Sequence, residues 1–223
     1  MKAASSEPHF LTTSHGPDAA PIVSRCDRTV TGDGIDLYWI PLGAGAGGAV
    51  VRWSGHLYEA ITAARARRAR CHLFHSALEV TVNETTATVE MAPVWTGHSE
   101  RGVVSEGPVG ARWLGRSRLF RYEVRCWFGG SIPDVVDAVG GPVRVSDDPD
   151  AAQRVLELVP EFPTCTWGRD ELHAGEMWNS NSLVSWLLAR TGVGTNDVRW
   201  PAGGRAPGWD AGVVAASRSR WAA

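Results

Sequence analysis

From residue 120 to residue 128 two kinds of side chain take turns. Phe120, Tyr122, Val124, Cys126 and Phe128 alternate with Arg121, Glu123, Arg125 and Trp127. Successive side chains of a strand point to opposite faces. A period of two with one mostly charged set therefore predicts an antiparallel strand, packed on one side and open to water on the other. The stretch 119–128 is not alone. Residues 71–82 and 85–92 are rich in β-branched and aromatic types and flank Asn83-Glu84, which reads as a hairpin turn. Shorter strands are expected at 37–40, 50–53, 102–105 and 142–145. Helical patterns cover 55–70, 150–158 behind the start signal Ser146-Asp147-Asp148-Pro149, and the apolar 177–191 closed by Gly192, with a short helix at 133–139. The strands come as a block between helices rather than in βαβ alternation. The expected fold class is α+β, an antiparallel sheet packed against helices.

The chain of 223 residues is 43% hydrophobic and 21% charged, enough to bury one sizeable core. Residues 1–33 are polar, proline- and glycine-bearing and aperiodic, and are expected to be a mobile tail; residues 34–219 are expected to be a single domain. A net charge of -2 points to neither a nucleic-acid nor a membrane-surface partner, and no apolar run is long enough to span a membrane. The arginines at 65, 67, 68 and 70 complement a helix C-terminus. Residues 1–20 carry no apolar h-region, so no secretory signal is expected. Cys26, Cys71, Cys126 and Cys165 have no paired spacing, so free thiols and a cytoplasmic location are expected. Neither composition nor pattern fixes the oligomeric state.

Two short motifs carry chemistry. The first is Leu73-Phe74-His75-Ser76-Ala77-Leu78-Glu79-Val80, a histidine inside an apolar strand with small residues after it. Alone, it reads most simply as a hydrogen-bonded core histidine. The second is Trp178-Asn179-Ser180-Asn181-Ser182-Leu183, a polar opening to an apolar helix. Alone, it reads as helix capping. Its functional reading is a nucleophile at a helix N-terminus, where backbone N–H groups hold an oxyanion.

Taken together and in this order, the two motifs resemble the circularly permuted papain-like superfamily, in particular the PPPDE-type thiol isopeptidases and their lecithin:retinol acyltransferase-like relatives. His75-Ser76-Ala77-Leu78-Glu79-Val80 is similar to that family's histidine strand, and Asn179-Ser180-Asn181-Ser182-Leu183 to its Asn-Cys-Asn helix opening, with serine in the cysteine position. The resemblance implies a circularly permuted papain-like fold without cofactor. It makes His75 the base and Ser180 the nucleophile. Trp178, Asn179 and Asn181 line the substrate cleft, and the substrate is a peptide, a protein or an acyl group. The imidazole needs an orienting group: Glu90, on a neighbouring strand, is one candidate and Glu79 another. Serine is much less acidic than cysteine, and a site shaped for sulfur need not place a hydroxyl within reach. Two outcomes stay open: a serine acyl hydrolase of amide, isopeptide or ester bonds, or a catalytically inactive domain that binds a peptide, protein or lipid in the former cleft.

Other features read more plainly. Glycines 43–48 lack the phosphate-loop pattern. Cys71-His72-x-x-His75 has no second ligand pair, and on a strand its two histidines face opposite ways, so no metal site is expected. Cys165 reads as an incidental loop thiol, and Trp209 as packing over the end of the domain.

Overall fold

The computed structural model describes residues 32–43, 59, 63–64, 67–94, 102–132 and 134–220. All of them fall in one compact unit, Gly32–Ala223. Seven strands are seen among the described residues: β1 (Gly34–Pro41), β2 (His72–Val82), β3 (Thr85–Pro93), β4 (Val103–Pro108), β5 (Arg121–Phe128), β6 (Val143–Ser146) and β7 (Gly204–Arg205). The main sheet runs β4-β5-β3-β2-β1-β6 and is antiparallel throughout; the two-residue β7 pairs in parallel with the start of β2. Three α-helices with both ends among the described residues accompany it: α1 (Pro149–Leu158), α2 (Ser180–Thr191) and α3 (Trp209–Arg220). The protein is an α+β fold built on an antiparallel sheet.

Local chemistry explains the element ends. β2 and β3 are joined by Asn83-Glu84, both at positive φ (50° and 61°), the backbone that lets a two-residue hairpin follow the strand twist. The Asp148 carboxylate accepts the Asp150 N–H at the start of α1, with Pro149 in the first turn. Gly192, at φ 83°, closes α2 in the left-handed conformation.

Register then sorts side chains onto two faces. Ile35, Leu37 and Trp39 of β1, Phe74, Leu78 and Val80 of β2, Val89 and Met91 of β3, and Tyr122 and Val124 of β5 join the apolar side chains of all three helices in one core. Aromatic contacts fill it. Phe162 stacks on Trp178 at 4.8 Å and meets the edge of Trp186 at 5.6 Å, while Trp39 lies 5.5 Å from Trp209. The other face carries Asp36, Tyr38 and Ile40 of β1, His75, Ala77 and Glu79 of β2, Glu90 of β3 and Glu123 and Arg125 of β5. Ile132 packs there against Tyr38, Ile40 and Ala77.

That second face corrects the sequence reading of β5. The charged set was expected to meet water, yet Glu123 and Arg125 are each only 1% exposed. Arg125 donates to Glu123 at 2.7 and 2.8 Å and to Glu90 at 3.0 Å. A buried guanidinium is tolerated where carboxylates neutralise it and its N–H groups are bonded. β5 also starts at Arg121 rather than 119, because Leu119 and Phe120 belong to a 3-10 turn (Arg118–Phe120). The expected short helix at 133–139 is a single 3-10 turn, Val135–Asp137. α2 begins at Ser180, three residues later than expected, because Trp178 is drawn into a bridge with Trp167. The expected strand 50–53, most of the helix 55–70, the glycine stretch 43–48 beyond Gly43, Cys26 and the segment 1–31 lie outside the described residues. Cys71, Cys126 and Cys165 are free thiols. No helix among the described residues is long and apolar enough to cross a membrane.

Candidate functional site

The candidate site lies where the N-terminus of α2 meets β2 and the turn before α3. Asn179 is the N-cap of α2. Its Oδ1 accepts the Asn181 N–H at 2.9 Å, its own N–H donates to Ser182 Oγ at 3.1 Å, and its Nδ2 donates to Pro207 O at 2.8 Å. Asn181 is 1% exposed. Its Nδ2 donates to Phe74 O at 2.9 Å and to Pro207 O at 2.8 Å, and its Oδ1 accepts the Ser76 hydroxyl at 2.8 Å. Ser182 Oγ donates to Gly208 O and Ser185 Oγ to Trp209 O, each at 2.7 Å. The Glu176 carboxylate accepts the N–H groups of Gly208 and Asp210 at 2.8 and 3.1 Å, holding the start of α3 from the other side. Burial raises the Glu176 pKa above the ordinary carboxylate range, against the pull of those two N–H groups. Gly208 sits at φ +90°, and a Cβ there would overlap the Asn179 side chain, so glycine is required.

The polar run Asn179 to Ser182 thus ties three segments together: the first turn of α2, the middle of β2 and the turn into α3. Ser180 is 3% exposed, and its hydroxyl forms no hydrogen bond with the described residues. Trp178 is 1% exposed and stacked on Phe162. Asn179 and Asn181 spend their amides on backbone carbonyls. Trp178, Asn179 and Asn181, expected to line a substrate cleft, are here parts of the packing: Trp178 is buried by its ring contacts, Asn179 caps the helix, and the deep amide of Asn181 is bonded within the protein.

His75 is placed elsewhere. Phe74 and Ser76 point to the helix face, where Ser76 meets Asn181, so His75 between them points to the other face, beside its cross-strand neighbour Ile40. The structure brings together Ser76 and Asn181 rather than His75 and Ser180. Glu90 and Glu79 do share the His75 face, and each has another partner: Glu90 accepts from Arg125, and Glu79 accepts the Tyr38 hydroxyl at 2.6 Å. Burial alone lowers the His75 pKa to about 4, so the imidazole is neutral at physiological pH with no carboxylate raising it. A base poised for proton abstraction sits nearer neutrality. Cys165, the other possible nucleophile, has its thiol pKa pushed up, chiefly by burial and further by Glu171. Among the described residues no group of three or more metal-ligating side chains converges.

One group escaped the sequence reading: the connection from β4 to β5. It lies beside the candidate site through the isolated bridges Val109 to Trp167 and Trp167 to Trp178. Its segment Arg112-Trp113-Leu114-Gly115-Arg116-Ser117-Arg118-Leu119-Phe120 has neither helical nor strand period, and its tell-tale was arginine interleaved with large apolar residues. Comparison with known proteins adds no relative: no family model, curated protein or solved structure matches the chain.

Proposed function

We propose that this chain is a catalytically silent domain of papain-like type, which works by binding and not by acyl transfer. The observation that carries this reading is the parity of β2: Ser76 faces the first turn of α2 and bonds Asn181, and His75 faces away. A serine nucleophile needs a base within about 3 Å of its hydroxyl, and an imidazole on the far side of a sheet does not meet that need. Three further facts support the reading. Asn179 and Asn181 spend their amide N–H groups on backbone carbonyls, the His75 pKa of about 4 lies far below that of a poised base, and Ser180 has 3% of its surface open. On this reading the Asn-Ser-Asn-Ser run is kept for architecture, and binding falls to another surface.

The test is fluorophosphonate labelling of the full chain, read by peptide mapping, with Ser180→Ala beside it. No adduct at Ser180 is expected. Ser180→Cys is likewise expected to react with iodoacetamide in the native state at least about a hundredfold more slowly than a free thiol, because access requires local opening. A Ser180 adduct that Ser180→Ala and His75→Ala both abolish would overturn the proposal and restore the hydrolase.

A further inference from the structure

The connection between β4 and β5, residues 109–120, is tied down along its length, yet holds its large apolar side chains outward. Its ends meet through the Val109 N–H and Phe120 O at 2.8 Å. Two 3-10 turns fill it, Arg112–Arg116 and Arg118–Phe120. Arg121 Nε donates to Gly115 O at 2.6 Å, Arg169 Nε to Gly110 O at 2.5 Å, and Arg112 makes a two-pronged pair with Glu171 at 2.9 and 3.1 Å. With the backbone so fixed, Trp113 is 71% exposed, Leu119 67% and Phe120 41%. Isolated apolar side chains at a surface are ordinary; three of them on one pinned twelve-residue loop are a patch that has not been folded away.

Charge surrounds the patch. Arg112, Arg116 and Arg121 line a recess of about 430 Å³ at the base of the loop, together with Glu106, Gly107, Pro108 and Gly115. Glu106 pairs with Arg121 at 2.8 Å and Glu171 with Arg112, whereas Arg116 and Arg118 have no carboxylate partner among the described residues. Each of these two exposed arginines is next to, or within three residues of, an exposed apolar side chain. The local balance is positive on a chain whose net charge is -2.

We infer that this loop is a docking element for an anionic phospholipid bilayer. Trp113, Leu119 and Phe120 enter the interfacial layer, and the arginines Arg116 and Arg118 meet lipid phosphates, with the arginine-lined recess open to a headgroup. Cationic groups beside aromatic and aliphatic side chains match a surface that presents phosphate above hydrocarbon. The loop spends much of its backbone internally, and at its junction with the edge strand β4 the Pro108 O and Gly110 N–H are already bonded to Trp167, so it suits a fluid surface better than an extended peptide added as a strand. The inference supplies a partner for the binding role proposed above, and it rests on different residues. Vesicle binding and Ser180 labelling therefore fail independently.

The experiment is flotation of the full-length chain with phosphatidylcholine vesicles and with vesicles carrying about 30 mol% phosphatidylserine, at about 0.1 M salt. Two double variants run beside it, Trp113→Ser with Leu119→Ser and Arg116→Glu with Arg118→Glu. All four positions are exposed, so unchanged thermal unfolding is expected and is checked by circular dichroism. The wild-type chain should partition at least about tenfold better onto the anionic vesicles, and each double variant should lose about tenfold or more of that binding. Equal partition onto both lipids, or no binding to either, overturns the inference. So does a loss confined to the arginine changes with the apolar changes silent, which is the behaviour of a site for an acidic protein.

Discussion

The Asn181 amide joins three separate parts of the chain, and its neighbours show why a polar run opens an apolar helix. Asn181 bonds Ser76 and Phe74 on β2 and Pro207 before α3, all from a 1% exposed position. Asn181→Leu would strip the Ser76 hydroxyl and the Phe74 carbonyl of their bonds to it in the core, while Pro207 O keeps the Asn179 amide, and should destabilise the protein by about 2–4 kcal/mol in urea unfolding. Ser76→Ala alone should cost about 1 kcal/mol, and the pair should be non-additive by more than about 0.5 kcal/mol, since the two side chains share one bond. Additive effects would mean that the Ser76 bond is not formed in solution. The parity of β2 was readable in part. Phe74, Leu78 and Val80 form a large apolar stripe, and His75 falls on the alternate one with Ala77 and Glu79. The motif resemblance drew attention to His75 itself, while the stripe already placed it opposite the helices.

Between elements, α2 and α3 approach closely. A Cβ at Gly212 would overlap Ser185 Oγ and Ser182 O, so this glycine lets the two helices meet. Gly212→Ala would gain helix propensity of about 1 kcal/mol and lose more through overpacking, a net destabilisation of about 1–2 kcal/mol by urea unfolding. A stabilised variant would show that the helices separate without cost. Across the sheet the comparable device is ionic. Arg125 bridges Glu90 on β3 and Glu123 on β5, both on the covered face. Arg125→Met would leave two carboxylates without their cation, and should cost about 3–5 kcal/mol near neutral pH. Much of that loss should be recovered when Glu123→Gln is added, because the partner's stranded charge is then removed.

Over the whole molecule, ionisation divides stability into two pH windows. His75 has its folded pKa lowered from 6.5 to about 4 by burial. Above pH 6.5 it is neutral in both states and its burial costs nothing in charge. As pH falls toward about 4 the unfolded chain takes up a proton that the folded chain refuses, so stability declines through this window. After a discount for the part of the residue open to solvent, the decline should amount to roughly 1–2 kcal/mol, and His75→Asn should flatten it relative to wild type. Glu171 and Glu59 act lower. Hydrogen bonds from Arg112 and Thr166 hold Glu171 at about 2, and bonds from Arg68 and Cys71 hold Glu59 at about 2, against burial in both cases. Their stabilisation is present above about pH 4.5 and is lost as pH falls toward 2. Urea unfolding across pH 7 to 3 separates the windows: His75→Asn alters the slope above pH 4.5, and Glu171→Gln alters it below.

The sequence by itself determined the class of fold, through local rules. β-Branched and aromatic content with the Asn83-Glu84 turn marked β2 and β3, and alternation marked most of β5. Asp148 with Pro149 opened α1 and Gly192 closed α2, because caps and periods depend on neighbours within a few residues. Only the tertiary structure decided three things. It decided what covers the second face of the sheet, and so turned a charged stripe expected to meet water into the buried Glu90–Arg125–Glu123 group. It decided that Ser76, and not His75, meets the first turn of α2. It left Trp113, Leu119 and Phe120 outward on a pinned loop. Each depends on partners far away in the chain. Burial, pKa and exposure follow from which surfaces meet, and no local pattern carries that information.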